Sequence, residues 1–126
     1  MKPAKSILTA LALAMVPAGA AVAHHSYAAF DMSRSAVVTG VVSEVQYKNP
    51  HTWVFIDTRL ANGEVETWAI EAGGPNILMR QGWMKNTVKV GDRVSALIHP
   101  GKGRMKKAGS LTALRMTDGR TIGTWE

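Results

Sequence analysis

The chain has 126 residues, no cysteine and a formal net charge of +6 at pH 7. The lack of cysteine excludes disulfides, thiolate metal sites and cysteine nucleophiles. The nucleophile elbow of hydrolases, the phosphate-binding glycine-rich loop and the zinc-protease helix motif are also missing from the sequence. We therefore expect a protein that is not an enzyme.

Residues 1–23 have the three parts of an export signal in order. Two lysines precede an apolar run, Ile7 to Val16, and Ala21-Val22-Ala23 has the small-x-small pattern that signal peptidase accepts. The run is shorter than the about 20 residues that a membrane-spanning helix needs; an uncleaved membrane anchor is the alternative. We expect a periplasmic or secreted protein, without stable membrane insertion, whose first mature residue is His24.

Removal of the signal leaves about 100 residues, enough for one domain with a small core. Two lysines leave with it, so 13 basic and nine acidic residues remain and the net charge is +4. We divide the mature chain into a histidine-bearing segment, residues 24–35, and a β domain, residues 36–126. The sequence does not indicate an oligomeric state.

The first two predicted strands come from β-branched and alternating patterns. Residues 37–47 are rich in valine, with a bend or bulge expected at Gly40. The pattern places four of them on one face: Val37, Val41, Val45 and Tyr47. Residues 52–59 alternate, so that the even-numbered apolar residues share one face of the strand and the two odd-numbered aromatic residues share the other.

A tight turn at Asn62-Gly63 joins the second strand to a third, residues 64–71. This strand carries Glu64, Glu66 and Glu71, which we interpret as exposed carboxylates that balance lysines. Acid–base catalysis needs carboxylates with separated pKa values, and the sequence gives no indication of such a pair.

The only helix that the sequence predicts in the mature chain is short. Pro75 suits a first helical position, and Gly82 suits the left-handed residue that follows the last turn. In that arrangement Leu78 and Trp83 contact each other across the end of the helix.

Three more strands are predicted after the helix, at residues 93–99, 110–116 and 121–125. Three strands, a helix and then further strands match a mostly β, five- to six-stranded Greek-key barrel of the oligonucleotide/oligosaccharide-binding (OB) type. A small open β-sandwich is the competing architecture. We favour the barrel because its helix, between strands 3 and 4, closes one end.

The four histidines all lie at predicted boundaries: His24 and His25 at the mature terminus, His51 after Asn49-Pro50, and His99 before Pro100. Boundary residues meet at the ends of a barrel, where ligand sites form. An N-terminal histidine offers a metal its α-amine and its ring, and neutral imidazole suits copper or zinc. The sequence therefore predicts a metal site, most plausibly for copper, at these histidines.

Other interpretations of the same residues stay open. His24 and His25 can also be interpreted as a leader segment that only marks the cleavage site. His51 and His99 can also be interpreted as turn residues without a metal. Cleavage after Ala21 would place His24 third, which suits square-planar Cu(II) or Ni(II). Asp31 is a possible extra oxygen ligand. Methionine thioethers are possible Cu(I) ligands, or simply core filler.

A binding module for oligonucleotides, glycans or proteins is the alternative function. Its ligand would stack on Trp53 and Phe55 and contact the basic hairpin, whose charged residues are Lys102, Arg104, Lys106 and Lys107. The same residues are typical of core aromatics and of a solvated hairpin tip. No aromatic residue is interleaved in the hairpin for base stacking, so we expect no specific nucleic-acid partner.

Several motifs together resemble a family of small exported bacterial proteins that is known as a domain of unknown function. They are His24-His25-Ser26-Tyr27, Asn49-Pro50-His51, Arg80-Gln81-Gly82-Trp83 and His99-Pro100. The resemblance covers nearly the whole mature chain, and its motifs include all four histidines. It implies a periplasmic location and no established activity.

Overall fold

The computed structural model describes residues 27–125. The predicted export signal, its cleavage site, His24 and His25 lie outside the described residues. The elements of the described chain, in order, are β1 (Ala36–Gln46), β2 (Thr52–Arg59), β3 (Val65–Ala72), α1 (Pro75–Arg80), β4 (Arg93–Pro100), β5 (Ala108–Met116) and β6 (Thr121–Gly123).

The strands form a closed barrel. They follow the order β3-β2-β1-β4-β5, and a parallel pairing between β3 and β5 joins the two outer strands. This pairing matches Ala69 to Ala108 and Glu71 to Ser110. β6 extends the sheet beyond β5. The predicted Greek-key barrel with one short helix between the third and fourth strands is confirmed, and the open sandwich is not observed.

β1 pairs with a different strand along each half of its length. It pairs with β4 over residues 36–41 and with β2 over residues 41–46. Gly40 lies where the pairing changes, and a Cβ atom there would overlap the carbonyl oxygen of Asp57. Glycine is required at this point because two strands approach closely.

The bulge in β1 is not at Gly40 but between Val42 and Glu44. A bulge adds one residue and so reverses which side chains point inward. Val38 and Val42 are buried before it, Val45 packs against the core after it, and Val37 is exposed. The predicted common face of Val37, Val41 and Val45 is therefore wrong.

The core follows the alternation of β2 and β3. Val54, Ile56 and Ile70 are fully buried, whereas Trp53 and Phe55 are half-buried on the opposite face of β2. Trp68 pairs with Ile56 and packs against the core. It therefore lies on the opposite face of the sheet from the two aromatic residues of β2.

Helix α1 ends as the sequence predicts. Gly82 has a φ of +83°, and the backbone N–H of Trp83 donates to the carbonyl of Leu78 at 2.9 Å. Leu78 and Trp83 are both buried in the core cluster. The hydroxyl of Tyr47 donates to the Trp83 carbonyl at 2.9 Å, which ties the end of the helix to the segment after β1.

The segment before β1 packs onto the barrel. Phe30 is almost fully buried and forms an isolated β-bridge with Gly101. The backbone N–H of Asp31 donates to the Pro100 carbonyl at 2.8 Å, and that of Lys102 donates to the Ala29 carbonyl at 2.9 Å. The described part of the histidine-bearing segment is therefore docked, a point that the sequence left open.

Candidate functional site

A cavity of about 330 Å³ lies at the end of the barrel beside α1. The end of β3, the Gly73-Gly74 turn, the helix and β5 contribute to its wall. Tyr27, the first described residue, also lines it. A volume of this size falls at the lower end of the range of ligand pockets, about 300–1,000 Å³.

His51 and Glu71 form a polar pair in the wall of this cavity. The Nδ1 atom of His51 lies 3.1 Å from Oε1 of Glu71, and the two side chains are 30% and 12% exposed. Nδ1 is therefore the ring nitrogen that faces the carboxylate, and Nε2 is the other ring nitrogen. Metal-binding histidines are commonly oriented by a carboxylate in this way.

The interpretation of Glu71 as an exposed carboxylate that balances lysines is wrong. Its side chain is largely buried beside His51. The register of the β2–β3 hairpin places Glu71 opposite Trp53 and Ala72 opposite Thr52. The Asn62-Gly63 turn sets the register of this hairpin. Pairing residues outward from the turn would have placed Glu71 near His51, so its position could have been predicted from the sequence.

Trp83 contributes a second polar group that the sequence did not reveal. It is 0% exposed, lines the cavity, and its indole Nε1 has no hydrogen-bond partner among residues 27–125. Buried donors are nearly always hydrogen-bonded. The hydroxyl residues Ser110 and Thr112 line the same cavity.

His99 has a different environment. Its Nδ1 lies 2.7 Å from the carbonyl oxygen of Arg34, so the ring holds the segment before β1 against the end of β4. His99 pairs with Ser110, which pairs with Glu71, so the α-carbons of His99 and Glu71 are two strand spacings apart, about 10 Å. His99 is not among the described residues that line the cavity.

Within residues 27–125, no group of three or more acidic or histidine side chains is arranged to hold a metal ion. The predicted site of four histidines therefore remains a prediction, because its His24 and His25 lie outside the described residues. Asp31 takes part in a local turn: its Oδ1 accepts from the Ser33 hydroxyl at 2.6 Å. That hydrogen bond is the main reason why the pKa of Asp31 is lowered from 3.8.

The proposed ligand face of β2 is flanked by acids. Cross-strand pairing places Glu71 opposite Trp53 and Glu44 opposite Phe55. Neighbours of this kind share one face of a sheet. A polyanion stacked on the two aromatic rings would therefore meet carboxylates on both sides.

The basic hairpin does not act as a single cluster. Its four charged side chains are all exposed: Lys102, Arg104, Lys106 and Lys107. Lys107 forms an ion pair with Glu66 and lies 5.9 Å from the centroid of the Trp68 ring. Part of the predicted anion-binding charge is therefore balanced within the protein. The ligand site on the aromatic face and the hairpin stays a prediction.

Comparison with known proteins gives a family but no activity. A family model described as "Family of unknown function (DUF6152)" matches residues 12–110. No curated protein and no solved structure matches the chain. No helix among residues 27–125 is both long and apolar enough to cross a bilayer.

Proposed function

We propose, from the premise that this chain belongs to the family of unknown function DUF6152, that it is an exported, non-enzymatic metal-binding protein. Its ligands are three imidazole rings and one amine. The rings belong to His24, His25 and His51, and the amine is the α-amine of His24. Copper is the metal that this donor set favours.

The observation that carries the proposal is the His51–Glu71 pair in the wall of the cavity. With Nδ1 facing the carboxylate, Nε2 is the ring nitrogen left to bind a metal. A histidine held only by turn geometry would not need a largely buried carboxylate beside it.

The second support is the position of Tyr27. It lines the same cavity, and His25 and His24 precede it by two and three residues. An extended chain spans at most about 3.6 Å per residue, so these residues are within about 11 Å of the Tyr27 α-carbon. Two histidines are therefore within reach of the cavity whose wall holds a third.

The donor types support copper over other metals. The site offers imidazole and amine nitrogens and no thiolate. For divalent first-row metals at nitrogen sites, affinity is highest for Cu(II), and zinc follows below it. We leave His99 out of the proposed ligand set, because its ring contacts the carbonyl of Arg34 in the segment before β1.

The test is a titration of Cu(II) and Zn(II) into protein that begins at His24. We expect His51→Gln to weaken Cu(II) binding at least about tenfold, and Glu71→Gln to weaken it by about 10- to 100-fold, as the loss of an orienting carboxylate does. His99→Gln serves as the matched control and is expected to leave the affinity unchanged.

Two further results decide the role of the terminus. N-terminal sequencing of the exported protein should give His24 as the first residue, and one added N-terminal glycine should weaken Cu(II) binding. A start at Val22, with tight Cu(II) binding unaffected by His51→Gln, would contradict the proposal and support the alternative site in which His24 is third.

The alternative of an oligonucleotide-, glycan- or protein-binding module is less well supported. Glu44 and Glu71 flank the aromatic face, and Glu66 pairs with one of the four hairpin cations. Affinity for a polyanion depends on cations free to neutralise phosphates. The carboxylates argue most strongly against oligonucleotides as the ligand.

A further inference from the structure

A second cavity, of about 210 Å³, lies on the outer face of the sheet where β1, β4 and β5 run side by side. We call it the arginine cavity, after Arg93 and Arg115 in its lining. We propose that it binds a phosphate dianion, either free or as the terminal phosphoryl group of a larger molecule. It shares no lining residue with the cavity beside α1, so this inference does not depend on the proposed metal site.

The register of the three strands brings the polar side chains of this cavity together. Ser95 of β4 pairs with Thr39 of β1 on one side and with Arg115 of β5 on the other. Arg93 precedes Ser95 by two residues, so it lies on the same face of the sheet and is a diagonal neighbour of Arg115. Diagonal neighbours are about 7–8 Å apart, within reach of long side chains. Both guanidinium groups can therefore contact one ion between them.

The charge of the arginine cavity is positive and is not balanced by its own wall. Arg93 and Arg115 are the charged residues of the lining, and no carboxylate is among the described lining residues. Neither arginine forms an ion pair within residues 27–125. Two adjacent cations attract a dianion more strongly than a monoanion.

The carboxylates on the neighbouring strand and turn have other partners. Asp57 of β2 lies two strands from Arg93, and its Oδ1 accepts from the Thr67 hydroxyl at 2.7 Å. Asp118 follows the last lining residue of β5, and its Oδ2 lies 2.7 Å from Nε of Arg120. These carboxylates therefore leave both arginines of the cavity available to an external anion.

An aromatic ring orients one of the two guanidinium groups. Cζ of Arg115 lies 4.2 Å from the centroid of the Trp125 ring. Stacking covers a face of the guanidinium plane and leaves the N–H groups at its edge free to donate. Arginine binds phosphate through two parallel N–H donors of that edge. A guanidinium that is already held by stacking loses less freedom when it binds.

The hydroxyl groups beside the arginines add a further donor. Thr39 Oγ1 and Ser95 Oγ lie 2.8 Å apart and share one hydrogen bond. Two hydroxyls have two protons, and one hydrogen bond uses one of them. The second proton is free to donate to an oxygen atom in the cavity. The lining thus combines guanidinium and hydroxyl donors, which suits the several acceptor oxygens of a phosphate group.

The test is an NMR titration of metal-free protein that begins at His24 with inorganic phosphate, in Tris buffer at constant ionic strength. We expect the side-chain Nε–H resonances of Arg93 and Arg115 to shift with one common Kd. Arg93→Gln and Arg115→Gln should each weaken phosphate binding at least about tenfold, as the loss of a hydrogen bond to a charged group does. Arg104→Gln is the matched control, because it removes the same charge from the exposed hairpin and should leave the Kd unchanged.

Two further measurements test the geometry and the charge of the site. Both arginines are exposed, so their variants should fold, and the backbone amide spectrum outside the cavity checks this. Arg115→Lys keeps the charge but loses the planar pair of donors, so it should bind phosphate more weakly than the native chain. Acetate, a monoanion, should bind at least about tenfold more weakly than phosphate, because it balances only one of the two charges.

Three results would overturn the inference. The first is a phosphate Kd that Arg93→Gln leaves unchanged. The second is equal affinity for phosphate and acetate, or full affinity in Arg115→Lys. The third is a set of small shifts spread over lysine and arginine resonances without a common Kd, which would mean an adventitious ion only. The copper titration is a separate measurement, so either proposal can fail while the other stands.

Vesicles distinguish the two sources of the phosphoryl group. Phosphatidylcholine vesicles that contain phosphatidate present a terminal phosphate at a lipid surface. Cosedimentation with these vesicles that is lost in Arg93→Gln, and kept in Arg104→Gln, would assign the site to a lipid headgroup. Binding of inorganic phosphate without cosedimentation would assign it to a soluble phosphate.

Discussion

Thr52 buries a hydroxyl group for which the described part of the protein provides no partner. The residue is 0% exposed at the start of β2, and its Oγ1 makes no hydrogen bond within residues 27–125. A buried hydroxyl without a partner destabilises the folded state because its hydrogen bonds to water are lost on folding. Its backbone N–H, by contrast, donates to the Gly73 carbonyl at 3.2 Å.

Thr52→Val is therefore expected to raise the free energy of unfolding by about 1 kcal/mol, because valine has the same shape and no polar atom to desolvate. Urea denaturation of the metal-free protein measures the change. Thr39→Val is the matched control: its Oγ1 lies 2.8 Å from the Ser95 Oγ on an exposed surface, so the control should be neutral or slightly destabilising. Destabilisation by Thr52→Val would mean that the hydroxyl has a partner in solution.

At the residue scale, the sequence predicted what local patterns encode. His51 was identified from its place beside Asn49-Pro50, and the structure places it in the wall of a cavity. Glu71 was misinterpreted because its burial depends on cross-strand register rather than on its neighbours in sequence. The ion pair between Lys107 and Glu66 was missed for the same reason, since Glu66 lies on β3 and is distant in sequence.

At the scale of elements, α1 is the best-predicted part of the chain. Both of its signals are local: Pro75 fixes a helical φ at the start, and Gly82 takes the left-handed conformation at the end. The bulge between Val42 and Glu44 could not be located, because it arises from the pairing of β1 with β2. A valine-rich strand fits either register equally well.

Gly82→Ala should lower the free energy of unfolding by about 1 kcal/mol, the cost of a left-handed conformation for a residue with a Cβ. Apart from its chain neighbours, no described residue has an atom within 4 Å of the added Cβ, so steric overlap does not contribute. Gly119→Ala is the control, with a similar positive φ and equally open space. Urea denaturation should show the same loss in free energy of unfolding for both variants. Only Gly82→Ala should alter the NMR resonance of the Trp83 indole N–H. Equal effects on that resonance would contradict the role of this helix end in shaping the cavity.

At the scale of the whole molecule, the segment before β1 is part of the fold. Phe30, in the middle of it, is among the largest fully buried side chains. The sequence did not predict this, because one isolated bridge to Gly101 has no periodicity to detect. The closed barrel itself was predictable, since strand lengths, turns and the position of the helix each favoured it.

Phe30→Ala is expected to cost about 3–5 kcal/mol of stability, as the removal of a buried phenylalanine usually does. It should also weaken Cu(II) binding, because the segment that would carry the proposed ligands His24 and His25 loses its anchor. Met32→Ala, at a side chain 45% exposed, should change neither quantity measurably. A Phe30→Ala protein with full copper affinity would disconnect the docked segment from the metal site.

The parallel pairing of β3 with β5 has a consequence for the order in which the molecule assembles. It joins residues 69–71 to residues 108–110, the widest gap in sequence between any two paired strands except that of β1 with β4. Contacts of such separation carry a large loop-closure entropy and tend to form late in folding. Glu71 and Ser110 meet only through this pairing, so the cavity wall does not exist in a partly folded chain. If the proposed ion site needs this wall, ion binding would report that the barrel has closed.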